Sequence, residues 1–526
     1  MTRTPHFQAS IWSLTLLTLV LAFFVSHSAA QSRGWPTHSR DAQHTGVSSV
    51  ASQPLGKIHW KQRVDFAVPA GEIFVHYGSP LVTPANNVIV PVKAGTDSFR
   101  VVAHKGATGE ILWRQSTGYQ APFAAFLPGM GPALVGKRLF IPDSAGRIMV
   151  RQNPDLATGS VSELYFYGQK NFQANPLSYK SVQINTPLTA DAHGNLFFGF
   201  LAVGPTPIGL QSGLARIAAD GTGTWATAAF LAEDFLISEV PMSCAPALSQ
   251  DGSILYVAVS RGDFGFGYLL ALNSRTLAVI NKVRLTDPSS GFDATMTDES
   301  SASPTVGPDG DVYYGVLESP FPGHNDRGWL LHFNRDLSVQ QTPESFGWDD
   351  TASIVAASAV ASYHGTSTYL LMTKYNNYAS INTGDGHNRV AILDPNDTQA
   401  DLVFPTTQVM KEVITQLGVT PDPNFPTLPG AVREWCINTA AVDPFTKSVI
   451  VNSEDGKLYR WDLTSNTLSE VIKLSGGIGE GYTPTIIGAT GRSTPSTTPY
   501  SMQLESSAIA PSETALEGMA TRIARS

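Results

Sequence analysis

Cysteine is nearly absent: Cys244 and Cys436 are the two in 526 residues, 192 positions apart. No C-x-x-C-H motif exists, so covalent haem attachment is excluded. Charge is sparse as well, at 15% of residues, with a net charge of −9 and no dense Lys/Arg block. Binding to nucleic acid through phosphate neutralisation is therefore not expected. Long apolar runs are confined to one stretch, Ile11 to Val25. No G-x-S-x-G is present, which removes the local signature of a serine-nucleophile hydrolase.

That single apolar stretch follows Arg3 and precedes Ser28-Ala29-Ala30, with small residues at the −3 and −1 positions. Residues 1–30 therefore read as a cleaved secretory signal, and the mature chain is expected to be secreted or periplasmic with no membrane span. Export permits a disulfide, but both cysteines stand just before repeat onsets three units apart. Two buried thiols are the expected state.

What is abundant is a repeated phrase: a small residue, a proline, an apolar pair, an Asp/Gly turn and an alternating apolar run. It reads SPLVTPANNVIV (79–90), GPALVGKRLFI (131–141), TPLTADAHGNLFF (186–198), APALSQDGSILYV (245–257) and SPTVGPDGDVYY (303–314). The prolines at 80, 132, 187, 246 and 304 are 52, 55, 59 and 58 residues apart, a period that signifies repeated supersecondary units. NTAAVDPFTKSVIV (438–451) and TPTIIGATG (483–491) are fainter copies. Each unit carries β-branched and aromatic runs bounded by turns, such as Ser253 to Val259 and Asp311 to Val316. Four antiparallel strands per unit, repeated around an axis, make propeller blades. The expected fold is thus an all-β propeller over residues 31–491, with onsets near 80, 132, 187, 246, 304, 359, 440 and 484. Eight blades are favoured, with seven as the alternative count. Residues 405–435 read as an insertion with a short helix from Thr407 to Leu417. Residues 492–526 read as a disordered tail, with a frameshift as the alternative origin.

The opening GWPTHSRDAQHTGVS (34–48) and IHWKQRV (58–64) resemble the start of the pyrroloquinoline-quinone-type repeat propellers. So does Gly106-Ala107-Thr108-Gly109-Glu110-Ile111-Leu112-Trp113 with Gly118, the tryptophan-docking phrase of that family; a fragment recurs at Ala219 to Trp225. The resemblance implies that Ile58 to Val64 completes an otherwise incomplete last blade, which removes the free sheet edge. The family holds quinone-dependent dehydrogenases, outer-membrane-assembly scaffolds and many uncharacterised exported proteins. A dehydrogenase would carry adjacent cysteines against the quinone, with carboxylates and an Asn on Ca²⁺. No such Cys-Cys pair exists here. No cofactor is therefore expected; pyrroloquinoline quinone and calcium are what the resemblance would bring, without a motif to hold them.

If the units surround an axis, the segments leading into each inner strand line the channel. They carry Glu72, Glu239, Glu299, Glu434 and Glu480, which, converging, would make an acidic mouth suited to a cation. His76, Trp435 and Tyr482 could stack on a ring there, and Glu434-Trp435-Cys436-Ile437-Asn438 is the densest cluster. Lys374 to Tyr378 with Asp385 to Arg389 is the second such cluster. Asp191, Asp251, Asp309 and Asp455 sit in Gly-bearing turns and read as turn formers. The expected function is an exported propeller that binds a protein partner or small ligand on one face without catalysis. The alternative is a degenerate quinone-dependent oxidoreductase or carbohydrate-active enzyme with its site at the channel mouth.

Overall fold

The computed structural model describes residues 33–67, 78–122, 130–298, 302–319, 327–345, 347–375, 385–435, 437–476, 484–497 and 500–505. The signal-like residues 1–30 lie outside this set. So do Glu72, His76, Glu299, Cys436, Glu480 and Tyr482. Among the described residues no helix is long and apolar enough to cross a membrane.

The fold is a β-propeller. Seven antiparallel sheets follow one another, unit 1 at 81–117, unit 2 at 133–165, unit 3 at 189–227, unit 4 at 247–284, unit 5 at 305–345, unit 6 at 353–417 and unit 7 at 441–473; consecutive strands pair side by side, and Val182–Ile184 adds to unit 3 beside its second strand. Unit 4 shows the plan: Ala247–Leu248, Ile254–Ser260, Gly267–Asn273 and Val279–Arg284. The second strand is buried at every residue, and the third nearly so, because neighbouring units cover both faces. That is why these runs are continuously apolar rather than alternating. Outer strands are half exposed; Thr467–Lys473 of unit 7 alternates outward and inward throughout.

The sixth inner strand, Ser353–Ala356, precedes the expected onset near 359. The small-residue run that suggested that onset, Ala357–Ala359, is a 3-10 turn leaving the strand. Gln408–Leu417 is a strand, not the expected helix. It forms the outer strand of unit 6 by pairing with Arg389–Ala400. Its Val and Ile residues suit a half-buried pleated surface, and cross-strand pairing outweighs local helix preference. The extra residues before unit 7 are thus 418–435, tied at their base by Asp422 N donating to Ala431 O (3.0 Å) and Arg433 N to Thr420 O (2.9 Å).

Strands also continue past Gly491. Ile486–Ile487 pairs with Ser493–Thr494, and Ser496–Thr497 with Tyr500–Glu505. Tyr500–Glu505 in turn pairs with Lys57–Arg63, so the N-terminal strand closes the last unit, as the resemblance implied. Residues 506–526 lie outside the described residues.

Tryptophans lock neighbouring units together. Trp60, on the closing strand, lies against Gly109 of unit 1 and donates Nε1–H to Gly106 O at 3.0 Å. Trp113, on the outer strand of unit 1, donates to Pro154 O in unit 2 at 2.7 Å, under the Arg151 guanidinium at 4.3 Å. Between units 4 and 5 the same place is taken by Asn281, whose Nδ2 donates to Asp336 O at 2.9 Å. Gly109 has φ +73° and its missing Cβ would lie 2.6 Å from Trp60 Cγ. Gly109→Ala should therefore cost about 2–4 kcal/mol, from positive φ plus overpacking. Gly136, at φ +59° with open space around it, is the control: Gly136→Ala should cost only about 1–2 kcal/mol. Denaturant midpoints of the two variants check the difference.

Candidate functional site

The axis is organised by the segment Trp35–Gln53, which visits the units in chain order. Backbone N–H groups of the inner strands donate to it in turn: Val82 to Trp35 O (2.9 Å), Leu134 to Pro36 O (2.7 Å), Leu248 to Ala42 O (2.7 Å), Val306 to Gln43 O (2.9 Å), Ile354 to Thr45 O (2.8 Å) and Val442 to Gly46 O (2.9 Å). Thr37 Oγ1 donates to Leu188 O of unit 3 (3.0 Å), and Gln53 N to Gly491 O of the last unit (2.6 Å). Nineteen residues can touch units from the first to the last only if the inner edges of those units face one centre. The belt also crosses that centre. Ser39 Oγ bonds Thr439 Oγ1 of unit 7 (2.8 Å), although Thr37 two residues earlier is bonded to unit 3. Left-handed backbone at Ser39, Arg40, His44 and Gly46 gives the path its tight bends.

A second layer lies where the chain leads into each inner strand. Leu188 N donates to Gly131 O (2.8 Å), Ser243 N to Asn185 O (2.9 Å), Ala245 N to Ser303 Oγ (2.9 Å), Ser303 N to Thr351 Oγ1 (3.1 Å) and Thr351 N to Asn438 O (2.8 Å). These bonds join units 2 to 7 in sequence. Beside Thr351 sits a buried ion pair, Lys374 Nζ to Asp349 Oδ2 at 2.6 Å. Asp350 is buried next to it, accepting from Thr373 Oγ1 at 3.1 Å and Lys374 N at 3.3 Å.

Burial sets the protonation of this interior. His44 is pushed down to about 4 by burial, against the pull of Pro304 O, which accepts from its Nδ1 at 2.8 Å. His38 is held well below the ordinary imidazole value by burial and then by His44, 5.2 Å away in an edge-to-face contact. Both rings are therefore neutral at pH 7. Asp350 is pushed up to about 7 by burial, which outweighs the Lys374 ammonium.

Of the candidates legible in the sequence, the structure brings Asn438 into the lead-in ring, buried, its Oδ1 accepting from Thr439 Oγ1 at 3.2 Å. Glu434 is half buried, its backbone bonded to Glu454 and Ser453. Trp435 is a core residue: fully buried, edge-to-face on Tyr459 at 5.5 Å, with Nε1 donating to Asn388 O at 3.3 Å. It offers no stacking surface at a channel mouth. Lys374 and Tyr375 of the second cluster are likewise buried. Glu72, His76, Glu299, Glu480 and Tyr482 lie outside the described residues, as noted above. Cys244 is a buried free thiol, pushed up to about 12 by burial. The turn aspartates accept from backbone N–H groups two residues on, as Asp191 does from His193 and Asp309 from Asp311. Among the described residues no group of three His, Cys, Asp or Glu is placed to hold a metal ion. A cavity of about 590 Å³ lies at the rim between the outer strands of units 2 and 3, near Glu163 and Trp225. Its one carboxylate is already engaged by Arg147 Nη1 (2.7 Å) and the Tyr165 hydroxyl.

Sequence reasoning missed the belt, because its left-handed backbone at Ser39, Arg40 and His44 falls on residues that do not signal it locally. It also missed a surface feature. Strand direction puts the links between units, and the loops between second and third strands, on the lead-in face. Units 3 and 4 place Val203, Phe230, Phe235, Leu236 and Phe264 there, all exposed. The opposite face carries Leu156, Val339, Leu402 and Phe445, one in each of four units. Close to Phe264, Glu239 is pushed up to about 7 by burial, then by Asp298 and Asp263.

No family model matches the chain, and no curated protein matches it. Solved structures do. A europium-containing methanol dehydrogenase superposes with a TM-score of 0.55 at 10% identity, covering 88% of either chain. A quinohemoprotein alcohol dehydrogenase from Comamonas testosteroni gives 0.51 at 13% identity, over 94% of this chain and 84% of its own. BamB from Moraxella catarrhalis aligns over 87% of this chain and 99% of its own, at 0.43 and 11% identity. At such identities the likeness is one of fold. The chain has the β-propeller architecture of the quinoprotein alcohol dehydrogenases, in agreement with the repeat resemblance in its sequence.

Two outcomes follow from the interior. Asp350 and Glu239 have folded values near 7 against 3.8 and 4.5 for the free groups. Folding therefore takes up protons, and stability falls as pH rises through that interval. The belt imidazoles act oppositely, since His44 near 4 lies below its free value of 6.5, so stability is lost as pH falls below 6.5. The melting temperature should drop from pH 6.5 to 8, less steeply in Asp350→Asn, and His38→Gln should resist loss at pH 5. Separately, Lys374→Met should cost about 3–5 kcal/mol by stranding the buried Asp349, and Lys374→Met with Asp349→Leu should recover most of it. Denaturant titration of both reads the coupling.

Proposed function

We propose that this chain is an exported, non-catalytic propeller that recruits a protein partner on its lead-in face. The observation that carries the reading is the occupied axis. The chain's own belt crosses the centre and bonds to each unit, and hydrogen bonds in the layer above it join units 2 to 7. Recognition then falls to the loops, where the exposed apolar side chains gather on one face. The apolar segment of residues 1–30 supports export. The dehydrogenase reading has less support, because the adjacent cysteines of that class are missing from the sequence.

Photocrosslinking residues placed at Phe230, Phe264 and Leu417 on the lead-in face, and at Leu156, Leu402 and Phe445 on the other, test this in cells producing the full chain. Adducts should concentrate at the first set. Equal or greater yield from the second set overturns the reading. So does stable retention of pyrroloquinoline quinone with Ca²⁺ through gel filtration, accompanied by alcohol-dependent dye reduction.

A further inference from the structure

Three loops of units 3 to 5 meet on the lead-in face. The link after unit 3 pairs with the end of the second strand of unit 4, Glu239 and Ser260 exchanging backbone bonds at 3.2 and 2.9 Å. The hairpin 261–266 pairs with the next link through Met296 N donating to Gly265 O at 2.8 Å. This brings together three carboxylates distant in sequence. Asp263 Oδ1 accepts from Thr297 Oγ1 at 2.8 Å and from Asp298 N at 2.9 Å. Asp298 Oδ1 accepts from Met242 N at 2.6 Å. A Cβ on Gly262 would lie 3.6 Å from Glu239 Oε1.

Nearby acids of the same units are neutralised. Arg284 holds Asp293 at 2.6 Å and Asp234 at 3.7 Å, and Lys282 holds Glu233 at 2.9 Å. Glu239, Asp263 and Asp298 have no ion-pair partner among the described residues, although the hairpin's own exposed Arg261 is two residues from Asp263. The same loops carry Phe235, 90% exposed, Leu236, 45%, and Phe264, 55%. Apolar anchors surrounding unpaired negative charge define what complements them.

Resting on the partner-binding reading above, we infer that this patch docks a segment of a partner protein in which apolar side chains alternate with Lys or Arg. Phe235, Leu236 and Phe264 take the apolar side chains, while Glu239, Asp263 and Asp298 take the cations. Charge decides against the other occupants. A second copy brings the same net −9 and no basic block. An anionic bilayer repels the three carboxylates.

The test uses the full chain and a fluorescein-labelled 16-residue peptide of alternating Leu/Phe and Lys, with Lys→Glu and Lys→Ser analogues, read by anisotropy. The basic peptide should bind and the two analogues should not, and added salt should weaken binding. Phe235→Ser with Phe264→Ser should weaken it about tenfold, and Glu239→Gln with Asp263→Asn and Asp298→Asn by a similar factor. The Phe variant should keep the wild-type melting temperature, since both rings lie on the surface, and the carboxylate variant is compared at a temperature where circular dichroism shows it folded. The inference is overturned if the acidic or uncharged analogue binds as well, or if binding survives both variants. Phosphatidylglycerol vesicles binding in place of the peptide, or dimerisation through Phe235 alone, overturns it too. Should crosslinks still concentrate on the lead-in face while the basic peptide fails, only the chemistry of this patch is lost, and the partner-binding reading stands.

Discussion

The inner strand of each unit is an edge strand facing a buried centre, and its outward N–H groups must be satisfied there. A buried amide without a partner costs about 1–3 kcal/mol. Six of them, at Val82, Leu134, Leu248, Val306, Ile354 and Val442, donate to the belt. Left open together they would rival the whole net stability of a domain, about 5–15 kcal/mol. The N-terminal segment is therefore the element that makes the sheets into a closed ring. It supplies carbonyls where no strand could fit, and it bends at His44 and Gly46 to reach the next unit. Because Lys57–Arg63 also pairs with Tyr500–Glu505, the earliest residues of the propeller bind the latest. Contacts so distant in sequence delay closure until most of the chain is in place.

This arrangement turns the axis into a polar core. Belt and lead-in ring are two hydrogen-bonded layers, and the ionisable groups between them are paired or neutral. Lys374 meets Asp349, the two imidazoles are held unprotonated, and Asp350 is poised near neutrality. Such groups specify one arrangement of the sheets. They leave binding to what the scaffold displays at its ends. The two faces differ there: the inner hairpins of units 3, 4 and 5 are short turns built on Asp191, Asp251 and Asp309, while the longer link after unit 3 carries exposed Phe230 and Phe235.

Much of the fold was legible because its signals are local. The proline phrase marks inner strands, Asp251-Gly252 and Asp309-Gly310 mark hairpins, and the phrase from Gly106 to Trp113 marks the docking between units. Reading failed where tertiary context overrides local pattern. Gln408–Leu417 has helix-compatible spacing, yet the partner strand Arg389–Ala400 makes it a strand. Ala357–Ala359 imitates an onset because small residues suit a 3-10 turn equally well. Trp435 reads as a ligand platform, since nothing local reveals Tyr459 waiting across the unit boundary. Asn438 takes its place in the ring because it lies just before an inner strand. The Glu239, Asp263 and Asp298 cluster was only partly visible. Glu239 carries the lead-in signal, whereas the other two reach it by loop pairing that no periodicity encodes.

The exposed patch sits on the best-tied loops of that face. Asp263 is fixed by Thr297, Asp298 by Met242, and the hairpin by Met296, all within one layer of backbone and side-chain bonds. A loop ordered in this way before binding loses little conformational freedom on contact, so more of its interaction energy remains as affinity. The same bonds hold Asp263 and Asp298 near Glu239, whose proton affinity is raised first by burial and then by these two charges. Asp263 and Asp298 thus tie the loops while adding to the charge that faces Glu239. A cation arriving from outside offsets that charge without breaking the bonds that order the loops, so the patch can be held rigid by the fold and still gain from a basic ligand.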